Sequence, residues 1–485
     1  MKKRMVSIVS AVAVLALFAS VVAAQTGIPG TGWWTGEQVQ NVGSATANIV
    51  VTAYDSTGAS TYTSSQSVAA GAAFTFIPSN FSGMPSGFIG SAVVSSDQPI
   101  KAIVAVTNVA AGGLGVAGGK ASAQYQGTEN AATTLYFPLV KHNRFGNSTA
   151  FYIQNAGTAA ASVTAVFKMD TGGTYTKTVS SVDPNKMVLI NPIDAGVPST
   201  PGAGGRDNVG SLTVTSAQPL AGTVLEYVQG QAVATVLLGT RGFTAADFDN
   251  AAYAPVIKNA RFGRFTGVQV QNVSAGPIDV TVSYVGTAGA CAGNTYTDTA
   301  TGVAAGTSKT FVQLTGQSNL PANCTASATI TATGDFVALV NEQNQTGFAL
   351  AGITYSAIAD GAKTTKVSAP LFKDRRSGAS TGLQIQNVGA AQATNVVVTF
   401  ACKGAATFTA ISNPQTIPAG GAKLFLRPST MPAGTFTAGN PFSSNNVNCA
   451  VTITGDQPVM AIANEFSDTT GAVDDTNYEG FNLVP

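Results

Sequence analysis

Along most of the chain, apolar and polar positions alternate with a period of two, in runs rich in Val, Ile, Thr and aromatic residues. Gly, Asn and Asp cut these runs at short intervals. Such alternation marks strands with one buried face. The pattern itself repeats. Gln40-Asn41-Val42-Gly43, Gln154-Asn155-Ala156-Gly157, Gln271-Asn272-Val273-Ser274 and Gln386-Asn387-Val388-Gly389 place their asparagines 114, 117 and 115 residues apart. Each is followed by a short polar turn and a second β-branched run, such as Val163–Phe167 or Val396–Phe400. A small-residue turn (Val68–Gly71, Val303–Gly306, Ile417–Gly420) comes later in the unit. A hairpin is then expected at Asp97-Gln98-Pro99, Ala217-Gln218-Pro219 and Asp456-Gln457-Pro458; Gly334-Asp335-Phe336 stands there in the third copy.

A last shared element is Tyr136-Phe137-Pro138, Tyr253-Ala254-Pro255 and Ser368-Ala369-Pro370, each proline 17 residues before the next key asparagine. Taken as the last strand of each unit, it gives boundaries at 25–140, 141–257, 258–372 and 373–485. Seven or eight strands in about 115 residues fit an antiparallel immunoglobulin-like β-sandwich, with a closed barrel per repeat as the alternative. The expectation is therefore an all-β chain of four tandem sandwiches joined as a rod.

The N-terminus reads differently. Lys2, Lys3 and Arg4 precede an apolar run, Val6 to Val22, and Val22-Ala23-Ala24 offers small residues for cleavage before Gln25. Residues 1–24 are the pattern of a secretory signal peptide. An uncleaved anchor is the competing reading, against which stand the short run and the cleavage site behind it. Residues Ala102 to Gly119 are apolar too, but carry Thr107 and Asn108 and then dissolve into glycines, which suits a strand and loop better than a membrane span.

Charge changes the picture only by its scarcity. Asp, Glu, Lys and Arg make up 10% of 485 residues, against about 25% in an ordinary soluble domain. Coiled coil and intrinsic disorder are excluded by that composition. With 24 Lys+Arg against 23 Asp+Glu, no basic nucleic-acid-binding surface is expected.

Thr266-Gly-Val-Gln-Val-Gln-Asn-Val273, Ser91-Ala-Val-Val-Ser-Ser-Asp-Gln-Pro-Ile100 and Phe137-Pro-Leu-Val-Lys141 together resemble a tandem β-sandwich repeat of large secreted and cell-surface proteins of filamentous bacteria. The resemblance spans essentially the whole chain after residue 24. It implies a location, secreted or at the cell surface, and an architecture, and it carries no catalytic residues.

Candidate chemistry is sparse. Cys291 and Cys324 occupy places in the third unit that correspond to those of Cys402 and Cys449 in the fourth. In an exported chain this spacing predicts disulfides Cys291–Cys324 and Cys402–Cys449. A zinc site would need all four thiolates to converge without Cys-x-x-Cys spacing. Gly378-Ala-Ser380-Thr-Gly382 matches the nucleophile-elbow pattern but lacks its strand–turn–helix context, and the single histidine, His142, precedes it. His142 is expected to be an exposed junction residue. No catalytic residue, cofactor or metal ligand is assigned; calcium held by backbone carbonyls is the one metal left open.

Trp33 and Trp34, the only tryptophans, could stack on sugar rings or plug the end of the first sandwich. Lys141, Arg144, Lys258, Arg261, Arg264, Lys373, Arg375 and Arg376 crowd into three junctions. They are read as solvated linker charge, as pairs with acidic groups of a neighbouring repeat, or as a row of cationic patches for an acidic polymer. The function expected is a non-catalytic exported structural protein that builds or decorates an extracellular layer. A polysaccharide-binding adhesin is the alternative, and a head-to-tail filament, with Phe481–Pro485 added as a strand to the next copy, is a third. The partners expected are cell-wall or matrix polysaccharide or further copies, with no nucleic acid and no transmembrane segment after cleavage.

Overall fold

The computed structural model describes residues 10–14, 27–30, 32–108, 121–229, 236–344, 352–376, 378–404, 407–444, 446–467 and 476–482. The fold is all-β, and among the described residues the only helical segments are short 3₁₀ turns. Most of the expected leader lies outside the described residues.

The second unit shows the plan. Its opening strand, Ala132–Lys141, pairs antiparallel with the first half of the long strand Val209–Val228, Leu135 opposite Val214. On the other side of that half lie Ala161–Met169 and then Thr174–Val182. The strand carrying the Gln-Asn motif, Asn147–Asn155, pairs with the second half, Phe151 opposite Val224. Met187–Ile190 flanks it, and the closing strand Leu237–Arg241 lies on the far side of the long strand. Two sheets thus enclose a core that includes Phe137, Phe151, Phe167, Leu212 and Val214.

The same pairings recur in the other units, with long strands Cys324–Asn344 and Val447–Ser467, and with Gly90–Ser96 plus Ile100–Asn108 in the first. The Asp-Gln-Pro element is therefore not a hairpin. It carries one chain from the first sheet into the second, because Gly90–Ser96 and Ile100–Asn108 lie in different sheets.

Two further expectations are corrected. The Tyr-x-Pro strand belongs to the unit that follows it: Ala132–Lys141, Asp249–Asn259 and Thr364–Asp374 each hydrogen-bond to the next long strand. Boundaries at 140, 257 and 372 cut these strands from their sheets. The tail is not a spare copy of this strand either. Phe481–Asn482 pairs with Val367 and Ser368 of its own unit, as Ile358–Ala359 does with Ala252 and Tyr253, and as Phe243 does with Tyr136. Phe481 is buried in the fourth core, so a filament built by lending it out loses its structural basis. In the first unit the opening position is taken by Ser10–Val14, Val12 opposite Val94.

The units do not extend as a rod. Ser91 Oγ donates to Asn185 O of the second unit (3.3 Å), Ser211 Oγ to Gly306 O of the third (2.7 Å) and Ser327 Oγ to Gly420 O of the fourth (2.6 Å). The fourth then returns to the first: Gln38 Nε2 donates to Pro370 O (3.4 Å) and Gln124 Nε2 to Glu465 Oε2 (3.3 Å). The result is a closed ring. The four closing strands, Ser122–Gln126, Leu237–Arg241, Gly352–Ser356 and Thr476–Glu479, neighbour one another around its axis. Side chains that would face solvent in a rod are buried between units, as Leu139 and Val209 are against Val337 and Leu339. Burial on both faces of many strands needs few charges, which accounts for the composition.

Candidate functional site

The repeated Gln-Asn motif is scaffold. Asn155 Nδ2 donates to Ala159 O and Val182 O, both at 2.8 Å, and its Oδ1 accepts from Gly157 N at 2.9 Å. Asn41, Asn272 and Asn387 make the same three bonds. One buried amide thereby ties its own turn to the end of a strand nearly 30 residues on. The neighbouring glutamine faces outward to the preceding unit: Gln386 Nε2 donates to Ala328 O (3.3 Å) and Gln40 Oε1 accepts from Ser368 Oγ.

The odd third unit is explained by the same geometry. Asp97 and Asp456 accept backbone N–H groups of Asn48 and Thr394; Thr333 Oγ1 accepts from Asp279 N at the equivalent place (2.9 Å). Gln98, Gln218 and Gln457 lie over Gly43, Gly157 and Gly389, where a Cβ would collide with them. The third unit exchanges both partners, placing Ser274 over Gly334.

Cys291 is bonded to Cys324 and Cys402 to Cys449, each pair inside one unit. With separations of 33 and 47 residues, each bridge contributes about 3–4 kcal/mol on the chain-entropy account.

Other expected sites fall apart in space. Trp33 is buried in the first core and donates its indole N–H to Pro29 O (3.2 Å), so its face is not offered to a sugar; Trp34 is half-buried. His142 is buried rather than exposed, its Nδ1 2.7 Å from Val197 O, and it is the second unit's version of a position held by Asn259 and Asp374. Ser380 is buried on a strand and hydrogen-bonds Arg375 N (3.2 Å), a unit pair away from His142. Among the described residues no group of three or more His, Cys, Asp or Glu side chains could hold a metal ion.

The junction cations divide into two kinds. Lys141, Lys258 and Lys373 pair with Glu226 (2.5 Å), Glu342 (2.7 Å) and Glu465 (2.8 Å) of the same unit, and Arg264 reaches Glu342 at 3.4 Å. These carboxylates also knit the ring: Glu226 accepts from Asn341 Nδ2 of the third unit at 2.9 Å, and Glu465 from Gln124 of the first. The second kind sits on hairpin tips. Arg144 stacks on Phe145 (4.3 Å to the centroid) and Arg261 on Phe262 (4.4 Å). Both rings are exposed, at 70% and 79%, and both residues have φ near +50° (51° and 54°), uncommon for a bulky side chain. In the fourth unit Arg375, with φ 53°, takes the place of Asn143 (55°) and Ala260 (51°) in this turn, and Arg376 Nη1 faces Asn446 Oδ1 (3.4 Å).

Among the described residues, the tip of the second unit overhangs a cleft. Between the second and third units a cavity of about 220 Å³ is lined by Leu139, Arg144, Phe145 and Phe265 among others. It shares Arg206, Thr310, Val312 and Gln317 with an adjoining polar cavity of about 830 Å³. Arg206 pairs with Asp170 (2.5 Å) and donates to Thr310 Oγ1 (3.0 Å) across the junction. Burial, and then the like charge of Arg206, lower the pKa of Arg144. Burial raises that of Asp170 against the pull of Arg206. Four basic residues (Lys141, Arg144, Arg206, Lys309) and two acidic ones (Asp170, Asp298) line the two cavities; Lys141 is paired with Glu226 and Arg206 with Asp170, which leaves Arg144 and Lys309 against Asp298. Of these only Lys141 and Arg144 belong to the junction clusters; Arg206, next to Asp207, and the isolated Lys309 give no local signal.

A third cavity of about 190 Å³ lies at the end of the ring axis, with lining residues from all four units, but its charges are spent on each other, Lys101 on Glu129 and Arg241 on Asp247 (2.6 Å each).

No protein-family model and no curated protein matches the chain. Two solved structures are similar at low identity. Thermotoga maritima 1070 is 19% identical over 24% of this chain and 95% of its own, with a TM-score of 0.19. A tetra-tandem repeat in the extending region of a large adhesion protein is 14% identical over 96% of this chain and 99% of its own, with a TM-score of 0.12.

Proposed function

We propose that the chain is a non-catalytic exported structural protein, four immunoglobulin-like sandwiches that build or decorate an extracellular layer. The observation that carries this reading is where its repeated polar residues go. The Asn of each motif locks a turn, and the Gln of three motifs and Ser91, Ser211 and Ser327 bond an adjoining unit. Such use of recurring chemistry favours a rigid body over a reactive site. The immunoglobulin-like description is supported by the Gln-Asn strand lying beside Met187–Ile190, and Ala161–Met169 beside the long strand, as B lies beside E and C beside F in that fold. The opening strand takes the place of G there, which is a departure from it. Two disulfides suit an oxidising compartment, and no described helix is long and apolar enough to cross a membrane.

Immunogold electron microscopy of native cells, with an antibody to this chain, tests the reading. Label on the outer surface or in shed material is expected, with both cysteine pairs recovered oxidised from that material. Label confined to the cell interior, with four free thiols, overturns it.

A further inference from the structure

The walls of the cleft between the second and third units hold the junction together, but its rim carries an exposed phenylalanine and basic side chains, a composition that points to a ligand. We propose that it binds a carboxylated oligosaccharide, a short run of uronic-acid-type sugars, with Phe145 as the stacking face and Arg144, Arg206 and Lys309 as the carboxylate contacts.

Four observations converge. The two joined cavities together reach the size of a small-ligand site, whereas the axial cavity is about 190 Å³. An aromatic ring at the rim is 70% exposed and held at φ 51°, a backbone conformation that phenylalanine adopts only where its surroundings impose it. Its ring is apolar on its faces, and a pyranose presents a face of C–H groups that packs on such a surface. The guanidinium of Arg144 lies 4.3 Å from the centroid of that ring, and Arg144 and Arg206 line the same cavity, two cations in one cleft. Lys309 is exposed on the facing wall, and Gln317 adds an amide for sugar hydroxyls.

The same turn in the third unit tests the logic inside the molecule. Phe262 has the stacked arginine and the same backbone angle, but neither it nor Arg261 lines either cavity. Among the described residues the two tips therefore differ in what they face, although the hairpin is repeated.

Titration calorimetry of the full chain with tetragalacturonate, maltotetraose and a sulfated tetrasaccharide decides it. Tetragalacturonate is expected to bind in the micromolar to millimolar range, weakening as salt rises, and maltotetraose at least about tenfold more weakly. Phe145→Ala, and separately Arg144→Gln with Lys309→Gln, should each weaken tetragalacturonate by about tenfold or more, at unchanged melting temperature. Phe262→Ala should bind as the parent chain does. The proposal is overturned if tetragalacturonate does not bind, if maltotetraose binds equally, or if Phe145→Ala leaves affinity unchanged. Sulfated sugar bound more tightly than tetragalacturonate and insensitive to Phe145→Ala would mark a charge-only patch and would also overturn it.

Discussion

The first unit and the other three share a plan but not its support. In the second, third and fourth units a buried threonine of the Gln-Asn strand (Thr149, Thr266, Thr381) accepts a hydrogen bond from the backbone N–H of the opening-strand lysine, at 3.1, 3.1 and 3.0 Å. Thr35 is the first unit's equivalent; it is fully buried, and its hydroxyl has no partner among the described residues. Two residues on, the other units place Phe151, Val268 and Leu383 in their cores, whereas the first has Glu37. Glu37 is fully buried, neither carboxylate oxygen has a partner among the described residues, and burial pushes its pKa up to about 8. The opening strand itself differs in origin, coming in the first unit from Ser10–Val14, inside the segment read as a leader. A tandem repeat therefore has one member whose edge depends on residues that export would remove. An uncovered edge of this kind exposes unpaired backbone groups.

Removing that strand should give the largest effect. A chain beginning at Gln25 is expected to lose amide protection along Gly90–Ser96 and to destabilise the first unit by several kcal/mol, on the order of one strand's hydrogen bonds and packing. Hydrogen exchange resolved by unit checks this, with the second to fourth units as internal controls. Equal protection of Gly90–Ser96 in both chains would erase the difference between the units.

Glu37 gives a smaller effect with a distinctive pH signature. The unfolded chain ionises it above its ordinary value of 4.5, while the folded chain keeps it neutral up to about 8. The folded state therefore binds the extra proton between these values. Stability contributed below pH 4.5 is lost progressively as pH rises toward 8 and stays lost above it. Glu37→Leu should remove this slope and stabilise the first unit at pH 7 by on the order of 2–3 kcal/mol. Thermal melts of parent and variant from pH 4 to 9 follow it; parallel curves would mean that Glu37 has a partner in solution.

The threonines give the smallest effect and sharpen the comparison most. Thr149→Val should cost about 1–2 kcal/mol, because it orphans the Lys141 N–H, whereas Thr35→Val should be neutral or stabilising by up to about 1 kcal/mol. Denaturant melts of the two variants give opposite signs if the first unit's hydroxyl is idle. A matching loss at Thr35 would show that it is satisfied.

Much of this architecture was legible in the chain. Period-two alternation marked the strands, the spacing of Asn41, Asn155, Asn272 and Asn387 fixed the repeat, and equivalent positions in two units paired the cysteines. The ownership of the Tyr-x-Pro strand was not legible, because a strand between two units has the same distance to each in sequence. His142 looked exposed because it stands among charges, yet the turn folds its ring onto Val197. The cleft was half legible: Arg144 belonged to a visible cluster, while Arg206 follows the glycine-rich stretch Pro201–Gly205 and Lys309 comes from the third unit.

Local sequence by itself determined what depends on near neighbours: strand against turn, the asparagine that closes each turn, and a composition too poor in charge for an open, solvated surface. Only the tertiary structure decided which sheet each strand joins, that the fourth unit returns to the first, and that one of two equivalent Arg-Phe tips overhangs a cleft. These are matters of distance between residues far apart in the chain. The alternation states that a side chain is buried, but a residue buried in its own core and one buried against another unit, such as Val214 and Val337, carry the same apolar signature.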